Sequence, residues 1–356
     1  MSIVRNTATI TLDYGKCPRW LFERMKKLGG LMSELIIEEY GQEEFLRRLS
    51  HPHWFQAFGS LLAFDWNSSG LTVVLTAALK EAFKERNLGI YVAGGKGKTS
   101  RKTPNELILI GEKTGLDGYR LSLISKITAK VDNTLIQDGF QLYHHTFFVS
   151  KSGVWAVVQQ GMNTSTSQAR RYHWFKENES LQENLIEEPH SGIIASKRLT
   201  KVFNLTHRDS KENKIGILEI VNEPKEILKV INKIITSSKP LFLPDIEFNY
   251  HPVLEEKFDI KRLKNTIEKI KSIEPKNFVD LILVEGVGPK TIRALSLASE
   301  IITGAKPSFE DPARYTFAHG GKDGTPYPVD RKTYDETIKI FEKALKLYKQ
   351  QKLYLG

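Results

Sequence analysis

The chain has 356 residues, which is longer than one compact hydrophobic core commonly reaches, so we expect two or three domains. A single cysteine excludes an internal disulfide and any zinc or iron–sulfur site built from several thiolates of one chain. The formal net charge of +10 favours a polyanionic partner, because lysine and arginine gain affinity by releasing counterions from phosphates. No apolar stretch is long enough for a membrane helix, and the N-terminus lacks a signal-peptide pattern. We therefore expect a cytoplasmic protein with no membrane partner.

Hydrophobic spacing predicts that the first third of the chain is mainly helical, after a short strand at 7–12. The segment 18–49 has the composition of two helices, which we expect to lie on either side of the Gly29-Gly30 pair. Between Leu71 and Phe83 the apolar residues fall on one helix face, and helical spacing returns over 117–137.

The period then changes to that of strands. Two β-branched and aromatic runs, 145–149 and 154–160, flank Ser-Lys-Ser-Gly and predict a β-hairpin. The last hundred residues are again helical. We predict a helix-rich α+β protein: a mixed α/β catalytic domain over 1–200, a connecting α/β segment over 201–258 and a helical domain over 259–356. Further helices are predicted at 224–235, 260–270, 278–284, 289–303 and 334–348.

The stretch LVEGVGPKT, residues 283–291, lies between two amphipathic helices and resembles the helix-hairpin-helix motif of DNA repair and recombination proteins. Gly286 and Gly288 permit backbone angles closed to other residues and a close approach to a phosphate, while Pro289 suits the first position of a helix. The N–H groups at that helix start attract an anion, and Lys290 adds a charge. A tight turn between two core helices is the alternative. The resemblance, with the basic charge, makes DNA the leading partner and RNA a second one.

Helix-hairpin-helix DNA glycosylases suggest a further reading of the same stretch. In those enzymes the residue matching Lys290 can attack the sugar as a Schiff-base lysine, and a downstream aspartate completes the site. The nearest candidate here is Asp311, a few residues further on than that pattern requires, and the preceding chain lacks the all-helical glycosylase body. A glycosylase or lyase that uses Lys290 is therefore an alternative.

Polar and aromatic residues in the N-terminal two-thirds exceed what a core needs, above all in AKVDNTLIQDGFQLYHH (129–145) and VVQQGMN (157–163). Aspartate, histidine and glutamine on a helix followed by a hairpin are compatible with a nuclease whose carboxylates hold Mg²⁺ or Mn²⁺ and whose ions activate water. The order faintly resembles the restriction-endonuclease-like core, but the second strand lacks the expected lysine. For each residue a helix cap or a buried hydrogen bond is the alternative. The predicted catalytic residues are Asp65, Asp132, Asp138, His145 and Gln159, with the three aspartates as metal ligands.

The loop YVAGGKGKTSRKTP, residues 91–104, contains the Gly-Lys-Thr of a nucleotide-binding P-loop. That motif needs a glycine where this chain has Val92, so we expect no nucleotide cofactor. Cations interleaved with glycines can instead follow a nucleic-acid backbone, and a mobile surface loop is the alternative. The predicted nucleic-acid-binding residues are Lys96, Lys98, Arg101, Lys102, Arg170, Arg171, Gly286, Gly288, Lys290 and Thr291.

These segments, together with residues 311–335, resemble a prokaryotic family known as domain of unknown function 763 along nearly the whole chain. The resemblance implies that the hairpin and the N-terminal region belong to one architecture, and it implies no established activity. We predict a DNA-binding protein of repair or recombination that cuts phosphodiester bonds with a divalent metal. A non-enzymatic DNA-binding or scaffold protein and the Lys290 lyase are the alternatives, and a homodimer stays open.

Overall fold

A computed structural model gives the structure of the protein. Two of the expectations above, the strand at 7–12 and the position of Asp65, lie outside the part of the chain that it describes. Within that part, no helix is both long enough and apolar enough to cross a membrane. The described residues are 17–62, 68–177, 185–196, 198–236, 259–316 and 331–355.

Among the described residues, six strands form one sheet and two shorter ones pair separately. The strands are β1 (Ile90–Lys96), β2 (Ile136–Gln137), β3 (Gln141–Ser150), β4 (Trp155–Asn163), β5 (Gln168–Lys176), β6 (Gly192–Ala195), β7 (Phe203–Asn204) and β8 (Tyr315–Thr316). The large sheet has the order β1-β3-β4-β5-β6-β8, and all its neighbours are antiparallel except β6 and β8. The predicted hairpin is confirmed as β3 and β4, and it forms the middle of this larger sheet.

The helices outnumber the strands, which confirms a helix-rich α+β chain. The predicted helix at 289–303 has the bounds that the structure gives, and the others agree to within several residues. The described helices are α1 (Arg19–Leu49), α2 (Pro52–Leu61), α3 (Ser68–Arg86), α4 (Thr103–Thr114), α5 (Gly118–Lys130), α6 (Lys211–Ile220), α7 (Pro224–Thr236), α8 (Ile260–Ile273), α9 (Phe278–Leu283), α10 (Pro289–Thr303) and α11 (Arg331–Leu355).

The helix break expected at Gly29-Gly30 is wrong, because α1 continues through both residues and is interrupted at Gly41, where φ is +87°. A Cβ on Gly30 would lie 2.6 Å from Nε of Arg86 and 3.2 Å from Cβ of Ala82. Both of those residues belong to α3. The glycine therefore lets α1 pack closely on α3, and it does not end the helix.

Apolar side chains pack on both faces of the sheet. Phe147 and Val157 belong to a cluster that joins one face to α5, α9 and α10. Phe148 and Val158 belong to a second cluster that joins the other face to α1, α2, α3 and α11. Consecutive strand residues point to opposite faces, which explains why neighbours such as Phe147 and Phe148 enter different clusters. The helices that follow residue 259 therefore share both clusters with the first 200 residues.

Two glycines bring the backbones of α4 and α5 into contact. A Cβ on Gly111 would lie 2.6 Å from both N and Cα of Gly118, and one on Gly118 would lie 2.8 Å from Leu107 O. Both glycines are buried. Because backbone atoms cannot rotate away as a side chain does, this crossing fixes the distance between the two helices.

The substitution Gly111→Ala is expected to lower the free energy of unfolding by about 1–3 kcal/mol, because the added methyl group overpacks the α4–α5 contact. Urea denaturation followed by far-ultraviolet circular dichroism measures the change. Gly288→Ser is the matched control: φ at Gly288 is −142°, no atom of the described residues lies within 4 Å of an added Cβ, and serine is a favoured helix cap. A wild-type midpoint for Gly111→Ala would contradict the close packing.

Candidate functional site

A basic cleft with a volume of about 490 Å³ opens where β3 begins. It lies between α5, the turn that follows β1 and the start of α10. Its lining includes Arg101, Lys126 and Lys130, and none of its described lining residues is acidic. The loop at 91–104 and the turn at 283–291, which are far apart in the sequence, both contribute residues to this basic cleft.

The loop at 91–104 continues β1 to Lys96 and then forms a turn of 3₁₀-helix, Gly97–Lys102. Gly94 has φ of +89°, and a Cβ there would lie 2.2 Å from His145 O on the neighbouring strand. Glycine is therefore required at this position both by the backbone angle and by the close strand. The four cations of this loop that are predicted to bind nucleic acid are exposed: Lys96, Lys98, Arg101 and Lys102.

The turn between α9 and α10 is held in place by side chains of the N-terminal part. Lys130 Nζ donates to Val287 O, and Gln137 Nε2 donates to Pro289 O over 3.0 Å. Burial lowers the pKa of Lys130. Because these donors bind carbonyl groups of the turn and of the first residue of α10, the start of α10 has a fixed position beside α5.

The two glycines of this turn have different roles. Gly286 has φ of +94°, a left-handed value that favours glycine. Gly288 has φ of −142°, an extended value that any residue adopts, so the expectation that it needs a glycine angle is wrong. Among the described residues, a Cβ on Gly288 would meet no atom within 4 Å and no side chain caps α10, so they leave the space before the helix open. Of the other residues predicted here, Lys290 is exposed, and Thr291 is 7% exposed.

A row of polar side chains crosses the sheet beneath the basic cleft. His145 and Gln159 are cross-strand partners, and both line the basic cleft. His145 Nδ1 lies 2.8 Å from Gln159 Oε1, and His145 Nε2 lies 2.8 Å from Oγ of Ser125, which also lines the cleft. Burial lowers the pKa of His145, and its hydrogen bond to Gln159 and the charge of Asp132 oppose that effect only in part. His145 is therefore a neutral imidazole near neutral pH.

Asp132 continues this row beneath Gln159. It lies in the π-helical turn Val131–Leu135 that follows α5, and it is 0% exposed. Its Oδ2 accepts from Gln159 Nε2 over 2.5 Å and from Trp174 Nε1 over 2.9 Å, while Oδ1 lies 2.5 Å from His190 Nε2. The structure therefore brings together three of the predicted catalytic residues, Asp132, His145 and Gln159.

Asp138 belongs to a separate buried cluster. Its Oδ2 accepts from Tyr172 OH over 2.6 Å and from Arg170 Nη1 over 3.1 Å. Arg170 also binds both carboxylate oxygens of Asp311, each over 2.9 Å. Burial raises the pKa of Asp138 despite the opposing charge of Arg170. Asp311, considered above as a lyase residue, is thus engaged by a buried arginine.

The opposite face of the sheet carries a second polar row, in which Gln160 pairs with His144 and with Arg171. Arg171 donates to His173 Nε2 over 2.9 Å and to Thr72 Oγ1 over 3.0 Å. Arg170 and Arg171 are each 0% exposed. The phosphate contacts expected of these two arginines are therefore contradicted, because the strand alternation directs one guanidinium into each interior layer.

A divalent-metal site at the predicted aspartates is not formed by the described residues. Asp132 Oδ2 and Asp138 Oδ2 each accept from two donors, and no group of three histidine, cysteine or acidic side chains in the described ranges is arranged to hold an ion. Asp65 lies outside those ranges. The Mg²⁺ or Mn²⁺ site stays a prediction.

Several residues of the site were not predicted from the sequence. Ser125, Lys126 and Lys130 lie on α5, where an alternation of lysine and small residues resembles an ordinary solvated helix face. Gln137 reaches the α9–α10 turn only because the chain folds back. His190 contacts Asp132, and nothing in the local sequence of His190 indicated that contact.

The fold and the cleft define an α+β protein in which a central sheet and a helical turn line a basic cavity. Residues 6–329 match a family model described as a protein of unknown function (DUF763), so the chain belongs to that family. The resemblance inferred from the sequence segments is thereby confirmed. No curated protein and no solved structure matches the chain.

Stability is expected to fall as the pH decreases below about 6.5, because burial lowers the pKa of His144 from 6.5 to about 3. The unfolded chain binds a proton there at a pH where the folded chain does not, so the folded state loses about 1.4 kcal/mol per pH unit for this residue. His144→Gln should remove that contribution between about pH 6 and pH 4, as measured by urea denaturation at each pH. Phe148→Leu, which weakens the core without removing a titrating group, should keep the wild-type slope. An unchanged slope in His144→Gln would contradict a buried neutral imidazole.

Proposed function

We propose that the protein binds the sugar–phosphate backbone of DNA in the basic cleft and acts in repair or recombination. The observation that carries this proposal is the position of two segments, 91–104 and 283–291. Each has the composition of a phosphate contact, and both line one cleft that has no acidic residue among its described lining. A turn used only for packing would not need an open position, Gly288, in the same cleft as the cations Arg101 and Lys126.

The charges of the cleft suit a phosphate chain. Arg101 and Lys126 are exposed, and Lys130 lies one helical turn beyond Lys126 on α5. Release of counterions from DNA by such cations provides affinity that does not depend on sequence. The start of α10 adds N–H groups and the positive end of a helix dipole, in the manner of a helix-hairpin-helix. Gly288, with open space around it, lets the backbone approach that helix closely.

Cleavage of the bound phosphodiester is a second candidate function. It is favoured by His145 and Gln159, which lie in the cleft where a phosphate would be held. A neutral imidazole can accept a proton from a nucleophile. The carboxylates expected to hold a metal lie behind these residues or in the Arg170 cluster, so a metal-dependent mechanism requires Asp65 or a rearrangement. A glycosylase that uses Lys290 has less support, because Asp311 is bound to Arg170.

Replacing Arg101 and Lys126 together by glutamine is expected to weaken DNA binding at least about tenfold at low salt and to flatten its salt dependence. Loss of two phosphate contacts reduces the slope of log K against log salt by about 1.8. Fluorescence anisotropy of a labelled duplex across a salt series measures both effects. The exposed pair Lys229 and Lys264, changed in the same way, is the control because neither lines the cleft. Equal losses in both double variants would indicate only a nonspecific effect of net charge.

Gly288→Asp is expected to abolish binding while preserving the fold. Aspartate is a favoured helix cap, so its carboxylate satisfies the N–H groups of α10 and can stabilise the chain by about 0.5–1 kcal/mol. The same carboxylate occupies and repels the phosphate position. Anisotropy and urea denaturation of one preparation separate the two effects. Gly288→Asn has the same shape without the charge and should bind DNA with intermediate affinity, and wild-type binding by Gly288→Asp would exclude the start of α10 from the interface.

A further inference from the structure

The basic cleft contains a hydroxyl group beside an oriented base. Ser125 Oγ lies 2.8 Å from His145 Nε2, and His145 Nδ1 lies 2.8 Å from Gln159 Oε1. The amide nitrogen of Gln159 donates to Thr128 O over 3.2 Å and to Asp132 Oδ2 over 2.5 Å. Ser125, His145 and Gln159 line the same cavity as the cations.

The direction of each hydrogen bond follows from these partners. A backbone carbonyl can only accept, so Thr128 O requires the amide nitrogen of Gln159 on its side. The amide oxygen then faces His145 Nδ1, which must carry the proton. His145 Nε2 is left with a lone pair, and Ser125 donates its hydroxyl proton to it. Ser125, His145 and Gln159 are therefore connected by hydrogen bonds in the order nucleophile, base and group that fixes the tautomer of the base.

We propose that Ser125 is a nucleophile that attacks a DNA phosphodiester, with His145 as its general base and Gln159 and Asp132 as positioning residues. This inference rests on the proposed binding of a nucleic-acid backbone in the basic cleft. The cations of the cleft select a phosphate ester over a neutral ester, and they would offset the charge that develops on the phosphoryl oxygens in the transition state.

The reaction conserves atoms and charge without an added reactant. His145 Nε2 takes the proton of Ser125 Oγ as that oxygen forms a bond to phosphorus. The bond between phosphorus and one sugar oxygen breaks, and the leaving oxygen takes the proton from the imidazolium. The products are a DNA end joined to Ser125 through a phosphoester and a second end with a free hydroxyl group. Attack by that hydroxyl reverses the step and rejoins the strand, whereas attack by water completes hydrolysis.

Gln159 occupies the position beside His145 that a carboxylate holds in a Ser-His-Asp triad, and this difference affects the expected rate of the attack by Ser125. Gln159 fixes the tautomer of His145 but has no charge to stabilise the imidazolium, and Asp132 lies one hydrogen bond further away. Ser125 is 1% exposed, so attack also requires the groups that cover its hydroxyl to move aside. These features suit a slow, reversible strand transfer better than rapid turnover.

Covalent trapping tests the proposal. The full chain is incubated in EDTA with labelled single-stranded, duplex and nicked duplexes, the nick placed so that a short cleaved strand diffuses away before it can be rejoined. The wild type should give a denaturant-resistant protein–DNA adduct, and mass spectrometry should locate the nucleotide on Ser125. Ser125→Ala should abolish the adduct, because it removes the oxygen that forms the bond to phosphorus. Ser122→Ala, a buried serine of the same helix, is the matched control and should form the adduct normally.

The outcomes separate this inference from the proposed binding. Binding without an adduct on any of the DNA forms would overturn the role of Ser125 and leave the interface in place, whereas absence of binding would overturn both. Cleavage that needs Mn²⁺ and persists in Ser125→Ala would also overturn it, in favour of a metal-activated water.

Nuclear magnetic resonance of histidine labelled with ¹⁵N tests the positioning role of Gln159 without DNA. The wild type should show the His145 tautomer that is protonated at Nδ1, with the signal assigned by its loss in His145→Gln. Gln159→Leu should give a mixture of tautomers, and circular dichroism should show that it remains folded. Protonation of His145 at Nε2 in the wild type would contradict the proposed direction of proton transfer.

Discussion

The alternation of side chains across β3, β4 and β5 is the constraint on which both the core and the cleft depend. Helices cover both faces of these strands, so consecutive residues enter different interiors. The doublets His144-His145 and Gln159-Gln160 therefore supply one member to each face, and Tyr172 and Arg171 extend the two rows on β5. Each row then needs partners from its own helical layer. On the cleft side these are Ser125 and Asp132, and on the other side they are Thr72 and Thr76.

Two buried polar rows make the strand register costly to change. A shift by one residue would exchange the layers, so His145 would lose Ser125 and each abandoned donor or acceptor would cost about 1–3 kcal/mol. Arg170 adds a stronger constraint, because its guanidinium binds Asp138 beside the sheet and Asp311 beyond α10. Removing Arg170 would leave both carboxylates without their cation in the interior. This ion cluster therefore couples the strand register to the path of the C-terminal chain.

The sequence predicted the helices and the hairpin because each depends on local spacing or composition. The role of Arg170 could not be predicted in the same way, because an arginine can pair with either a buried carboxylate or a phosphate. Only the alternation of side chains in a sheet covered on both faces shows that Arg170 points into the interior. The Gly29-Gly30 pair shows a similar ambiguity: glycine that ends a helix and glycine that admits a neighbouring helix have the same local composition. Of the candidate site, Asp132, His145 and Gln159 were found from polar residues in a helix-then-hairpin order. Ser125 was missed because its significance comes from a strand twenty residues away.

The cleft is a single unit because both segments that line it are joined to α5. The loop at 91–104 leads into α4, which packs on α5 through Gly111 and Gly118. α5 carries Ser125 and Lys126 along one side, and its last residue, Lys130, binds the carbonyl of Val287 in the turn before α10. Gln137 Nε2 donates to the carbonyl of Pro289, the first residue of α10. A phosphate held at the start of α10 would thus have its distance from His145 set by the length of α5 and not by a flexible linker. Such a turn contacts the phosphate backbone and not the bases. By holding a phosphate, it would position the scissile bond beside Ser125 and His145.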